Sequence, residues 1–185
     1  MANSETFELP HLEEVFEALR RGRHLTLRDG DLYHALKKHE DRFSGLFERL
    51  GFKLVRHRKD FYYFHDSSNF TDTTARIAVF MFILVEWLAD QGEPVEETVL
   101  TRRFELDALP HLQSDRYRAY MTEAGVNEPG DLLNVVRIMD RFGFARRTGE
   151  STFSFERPIY RFLDLCMAMR KKSEEVESIE SEEIE

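Results

Sequence analysis

The residues that could do chemistry in this chain are mostly arginines. Arg56, Arg58 and Lys59, with His57 among them, crowd the tip of one predicted hairpin. Arg146 and Arg147 occupy a second. Arg137 and Arg141 lie four apart, so on a helix they share a face. Guanidinium groups placed this way can bind backbone phosphates of nucleic acid and release counterions, an affinity that is salt-sensitive and blind to sequence. Asp131 and Asp140 on the same helical stretch weaken the field, which favours backbone contact over base reading. Exposed helix and strand faces need polar residues in any case, so a purely solvated role remains the alternative. Arg20, Arg21 and Arg23 form a further basic group.

Other reactive residue types do not assemble. His34 and His39 are five apart and miss a common helical face, so they read as surface histidines, and no metal site is expected. Glu13/Glu14 and Glu96/Glu97 are adjacent pairs, which point apart on a helix and do not form an acid/base couple. No phosphate-binding glycine loop, nucleophile elbow or HExxH motif is present. Cys166, the single cysteine, lies on an apolar helical stripe and reads as an inert core thiol. It excludes an intramolecular disulfide and a cysteine-based zinc cluster. The chain therefore reads as a non-enzyme with no cofactor.

The elements that position the arginines come as a repeat. Glu48-Arg49-Leu50-Gly51-Phe52 and Asp140-Arg141-Phe142-Gly143-Phe144 each follow a helical stretch. Each glycine is followed by an aromatic pair ten residues on, Phe61/Tyr63 and Phe153/Phe155. A glycine after an apolar-periodic run predicts a left-handed helix cap. Two strands around Arg58-Lys59-Asp60, or Thr148-Gly149-Glu150, then predict a hairpin. Helix, cap and ribbon are the back half of a winged helix, and two copies predict two domains.

Taken in order, residues 10–21 form a first helix with Leu12, Val15, Phe16 and Leu19 inward and Pro10 in its first turn. A short strand is expected at His24–Leu27. Asp29 is expected to cap a second helix bearing Leu32, Ala35 and Leu36. Asp41 is expected to cap a third with Phe43, Leu46, Phe47 and Leu50 inward. After a polar linker, residues 75–89 form a helix that is apolar on nearly every side and needs burial all round. Its residues Phe80, Leu84, Trp87 and Leu88 are the expected partner interface, because a small domain seldom covers such a helix fully. A short helix is expected from Ser114 to Ala124, and a longer one over Glu128–Phe142. The last runs from Ile159 to Arg170 with Ile159, Phe162, Leu163, Cys166 and Met169 inward.

This divides the chain into a first winged-helix domain (8–65), a linker (66–73), a second, enlarged winged-helix domain (74–157), a C-terminal helix (158–172) and an acidic tail (173–185). The fold class is mainly α with small β wings (α+β). Net charge is −9, but seven glutamates and no basic residue lie in 173–185, so residues 1–172 carry only −2. The tail composition predicts a solvated, disordered segment. The first residues lack the pattern of a signal peptide, and the longest apolar run, Ile77–Val85, is too short to span a bilayer.

Ala18-Leu19-Arg20-Arg21-Gly22-Arg23-His24-Leu25 resembles the opening of MukE, a small condensin subunit. Phe52-Lys53-Leu54-Val55-Arg56 with Phe61-Tyr62-Tyr63-Phe64 is similar to that family's first wing. Arg141-Phe142-Gly143-Phe144 with Phe153–Phe162 is similar to its second wing and last helix. The resemblance covers about residues 10–165, and the shorter chain and altered middle look more like MksE, of the related MksBEF condensin. It implies a tandem winged-helix homodimer that binds a kleisin subunit (MksF/MukF-like) and, through it, an SMC-like ATPase (MksB/MukB-like). It implies no catalysis and no membrane, a cytoplasmic, nucleoid-associated location, and a role in chromosome organisation and segregation or plasmid restriction. By the resemblance, Arg141 matches a basic residue that faces DNA, whereas Asp140 replaces a basic one. Arg146 and Arg147 join the expected DNA contacts on their own basicity. The competing reading is a tandem winged-helix transcription regulator with sequence-selective binding.

Overall fold

Val15 and Leu19, one helical turn apart, are buried and set the first helix against a core of aromatic rings. This is one of two units, Met1–Ser68 and Asn69–Glu185, in a computed structural model that describes residues 9–65 and 72–167. Both units are mainly helical, each with one small antiparallel sheet.

In the first unit α1 spans Leu12–Arg20, α2 Asp31–Lys38 and α3 Glu40–Arg49. Pro10 precedes α1, whose N-cap is His11. The strand expected at His24–Leu27 is a single bridge, with Leu25 and Tyr62 exchanging backbone bonds of 2.9 and 2.8 Å. Asp29 does not cap α2. Its carboxylate accepts the Thr26 N–H at 2.7 Å and closes a 3-10 turn over Leu27–Asp29, leaving Gly30 as the α2 N-cap. Asp41 likewise falls inside α3, whose N-cap is His39. Leu50, expected inward, is 56% exposed and is the C-cap residue, just past the last helical turn.

Gly51 takes φ +83°. Its N–H bonds Glu48 O at 3.0 Å, and the Phe52 N–H bonds Phe47 O at 2.9 Å. That pair of bonds is the Schellman closure of a helix. Strands β1 (Lys53–His57) and β2 (Phe61–His65) follow, paired Lys53↔His65 through His57↔Phe61. Tyr62 joins the buried core, with Phe64 and Leu54 packed against it.

The second unit opens with α4, Asp72–Asp90, three residues ahead of the expected start. Then come α5 (Val95–Thr101), β3 (Arg103–Glu105), 3-10 turns over Leu106–Ala108 and Pro110–Leu112, α6 (Asp115–Glu123) and α7 (Pro129–Phe142). Gly143 closes α7 as Gly51 closes α3, with bonds to Asp140 O and Met139 O of 3.0 and 2.8 Å. Strands β4 (Ala145–Arg147) and β5 (Thr152–Phe155) follow. The sheet order is β3-β5-β4, so a strand absent from the sequence reading pairs with the far edge of the second hairpin. A 3-10 turn holds Ile159, and α8 covers 160–167 with Phe162, Leu163 and Cys166 in the core. The expected helix end at Arg170, with Met169, and the acidic tail lie outside the described residues, as do positions 66–71 of the linker.

The apolar helix α4 is covered by its own unit. Ile77, Phe80, Met81, Ile83, Leu84, Val85 and Leu88 join a single cluster with residues of α5, α6, α7, the sheet and α8. An enlarged unit supplies enough elements to wrap a helix that a minimal three-helix domain would leave bare.

Candidate nucleic-acid and partner surfaces

The first hairpin ties its basic side chains into a polar network. Arg56 lies opposite Tyr62 in the strand register. Its guanidinium meets Asp60 Oδ1 at 3.0 Å and Glu40 Oε2 at 3.4 Å. Tyr62, buried, donates its hydroxyl to the same Glu40 oxygen at 2.7 Å. Lys37 Nζ on α2 reaches Asp60 Oδ2 at 3.3 Å and Tyr33 Oη at 3.4 Å. The Tyr33 hydroxyl, with Arg56 and Lys37, holds the Asp60 carboxyl down to about 2 against the upward push of burial. Burial first, then Glu40, raises the Tyr62 phenol. Asp60 takes φ +64° at the turn, a left-handed conformation that Asp tolerates better than most residues. Arg56 is therefore paired with two carboxylates, which offset its charge toward a phosphate. Arg58 is exposed, and the Lys59 N–H bonds His57 Nδ1 at 3.2 Å.

The second unit arranges its arginines differently. Arg137 and Arg141, one turn apart on α7, are both exposed, as is Asp140 beside them. The Arg141 guanidinium sits 4.8 Å from the Phe142 ring centroid. Arg146 is exposed on β4. Among the described residues none of these three arginines has a carboxylate within 4.0 Å.

Arg147 separates from Arg146. It is in register with the buried Phe153, and its Nε is buried with no hydrogen-bond partner among the described residues. Neighbours along a strand point to opposite faces, so the two arginines do not form one patch. The residue that accompanies Arg146 is Arg103, on β3. Arg103 pairs with Ser154, which pairs with Arg146. The signal for it in the sequence is the alternation Arg103-Phe104-Glu105, too short to mark a strand on its own.

Of the four residues expected to face a partner, Phe80, Leu84 and Leu88 have no accessible surface. A partner could reach them only by opening the core, and only Trp87 keeps partial exposure. Accessible apolar surface lies elsewhere on this unit. A groove of about 850 Å³ runs between the end of α4, α5 and α8, lined by Val95, Leu100, Tyr160 and Met167 and edged by Glu96 and Glu97.

Two buried reactive groups are spoken for by packing. His111 lies under Phe80, ring centroids 4.1 Å apart, and its Nε2 is 2.9 Å from Phe80 O. Since a carbonyl only accepts, Nε2 carries the proton and Nδ1 is the bare, unpartnered nitrogen. Burial pulls its pKa down to about 4, opposed by the Phe80 carbonyl, so the ring is neutral. Burial pushes the Cys166 thiol up to about 11, far from a reactive thiolate. Among the described residues no cluster of three His, Cys, Asp or Glu side chains is placed to hold a metal, and no helix is long and apolar enough to cross a membrane.

Comparison with curated proteins finds no match. The family model for the condensin complex protein MksE matches residues 10–167, which takes in both hairpins, the exposed arginines and α8. The chain belongs to the MksE family of condensin complex proteins.

Proposed function

We propose that this chain is a non-catalytic subunit of a bacterial SMC-like condensin. It binds a kleisin subunit as a homodimer, reaches the SMC-like ATPase through that kleisin, and contacts DNA. The match to the MksE model over residues 10–167 carries this reading. Its architecture is two winged-helix domains, 8–65 and 74–157, each ending in a glycine-closed helix and a hairpin. Arg137, Arg141 and Arg146 support the DNA contact, since they stand in solvent without carboxylate partners among the described residues. Three such cations support a phosphate contact whose affinity falls steeply with salt. The groove beside α8 supports a protein contact on the second unit, with Trp87 the one partly exposed member of the α4 set.

In this role the protein works in the cytoplasm at the nucleoid, in chromosome organisation and segregation or in plasmid restriction. Affinity purification from native cells at moderate salt tests it. Recovery of a kleisin and an SMC-like ATPase is expected, and recovery of neither overturns it. Selection from random DNA is expected to yield no shared sequence. Enrichment of one site by on the order of a thousandfold would instead favour a transcription regulator.

A further inference from the structure

The sheet of the second unit has a dry face and a wet face. Phe104, Phe153, Phe155 and Ala145 pack inward and are buried. On the other face the register aligns Arg103, Ser154 and Arg146 in a single cross-strand row. Adjacent strands lie about 4.8 Å apart, so the two arginine Cα atoms are about 10 Å apart with a serine between them. Both arginines are exposed, and neither has an ion-pair partner among the described residues. The next row, Glu105↔Thr152, carries one carboxylate. Nothing in either row is apolar.

We propose that this outer sheet face binds the phosphodiester backbone of duplex DNA, with Arg103 as a contact residue equal in weight to Arg146. The inference rests on the DNA-binding reading above and extends it from the α7 end and hairpin to the third strand. Two guanidinium groups spaced across the sheet, with a hydroxyl donor between, suit phosphate oxygens at separate positions along a backbone. Arginine suits this better than lysine because its planar fork can give two hydrogen bonds to one phosphate. With no apolar residue in the rows to wedge between bases or stack on one, the face suits contact along the backbone. Glu105 acts against binding as a like charge to the phosphates.

Binding of the full-length chain to a labelled random-sequence duplex of about 30 base pairs, between about 50 and 200 mM salt, tests this. Arg103→Ala is expected to weaken binding about fivefold to tenfold near 0.1 M salt and to lower the slope of log K against log salt by about 1. Arg103→Lys keeps the charge and is expected to retain most of the affinity. Glu105→Gln is expected to tighten binding by about twofold to threefold, an effect that loss of structure does not produce. The sole tryptophan, Trp87, lies in this unit, and its fluorescence reports whether each variant remains folded. Wild-type affinity and slope in Arg103→Ala, with Arg146→Ala weakened, would overturn the row while leaving the DNA reading intact. An unaltered protein that shows no salt-dependent binding at low salt would overturn both.

Discussion

The two hairpins leave identical helix closures and then fall out of phase by one residue. Gly51 and Gly143 are 92 apart, yet the core-facing rings are Tyr62 and Phe64 in one unit and Phe153 and Phe155 in the other, 91 apart. Side chains alternate along a strand, so a one-residue slip exchanges the faces. In the first hairpin Arg56 stands on the same face as Tyr62, beside α3, and meets Glu40. In the second, Arg146 stands on the face away from the core, and Arg147 takes the inward position. Similar basic letters after similar glycines thus make a locked network in one unit and a solvent-facing row in the other. The edges differ too: a lone Leu25↔Tyr62 bridge stands where the second unit has the whole of β3.

The largest effect is expected from removing a core ring. Phe153→Ala takes away a fully buried side chain packed against Phe104 and Phe155, at a cost of about 4 kcal/mol. Phe64→Ala in the first hairpin removes a half-buried ring, and about 2 kcal/mol is expected. Denaturant midpoints read by Trp87 for the second unit and by far-UV circular dichroism for both give the comparison. Equal losses would mean that the two sheets are buried alike.

Acid should separate the units next. An unfolded histidine takes up its proton near 6.5, whereas folded His111 does so only near 4. As pH falls below 6.5 the unfolded chain binds the proton first, so stability present above 6.5 is lost progressively down to about 4, by about 3 kcal/mol in all. Folded Asp60 titrates near 2 against an ordinary value of 3.8, so its contribution to the first unit is present above 3.8 and lost toward 2. Melting curves at pH 7, 5 and 3 are expected to show Trp87 responding first. His111→Leu should flatten the Trp87 response between pH 7 and 5, and an unchanged pH profile in that variant would remove His111 as its cause.

Smaller effects sharpen the details. Gly51→Ala meets no neighbour within 4 Å, so backbone strain at φ +83° is its main cost, about 1 kcal/mol by chemical denaturation. The smallest effect is expected from Glu40→Gln with Asp60→Asn, which releases Arg56 and Lys37. DNA affinity at low salt should rise about twofold, since surface ion pairs hold their partners weakly. No rise would mean that the first hairpin lies away from the DNA even when its cations are unpaired.

Strong periodicity was easy to read. The stripe of Leu132, Val135, Val136 and Met139 placed α7 to within a residue, and Val15 with Leu19 placed α1. The glycine phrases were legible because a left-handed cap demands a particular residue. Gly22, Gly92 and Gly125 close helices with the same two bonds, however, so the following ribbon marks the repeat and the cap alone does not. Arg103 stayed hidden because three residues of alternation fall below what periodicity can detect. Asp29 reads as a cap for α2 because it precedes that helix's apolar stripe, whereas its carboxylate turns back to the Thr26 N–H, a choice only the folded turn makes.

Residue order by itself determined most of the helices and their closures, the two ribbons and the presence of unusually apolar and unusually basic stretches, but not the short α5. All of these depend on contacts within a few positions along the chain. Tertiary structure decided which cations are neutralised, which strand completes the second sheet, and that α4 is covered by its own unit. Those outcomes rest on strand register and on packing between distant segments, where a shift of one position turns an inward side chain outward.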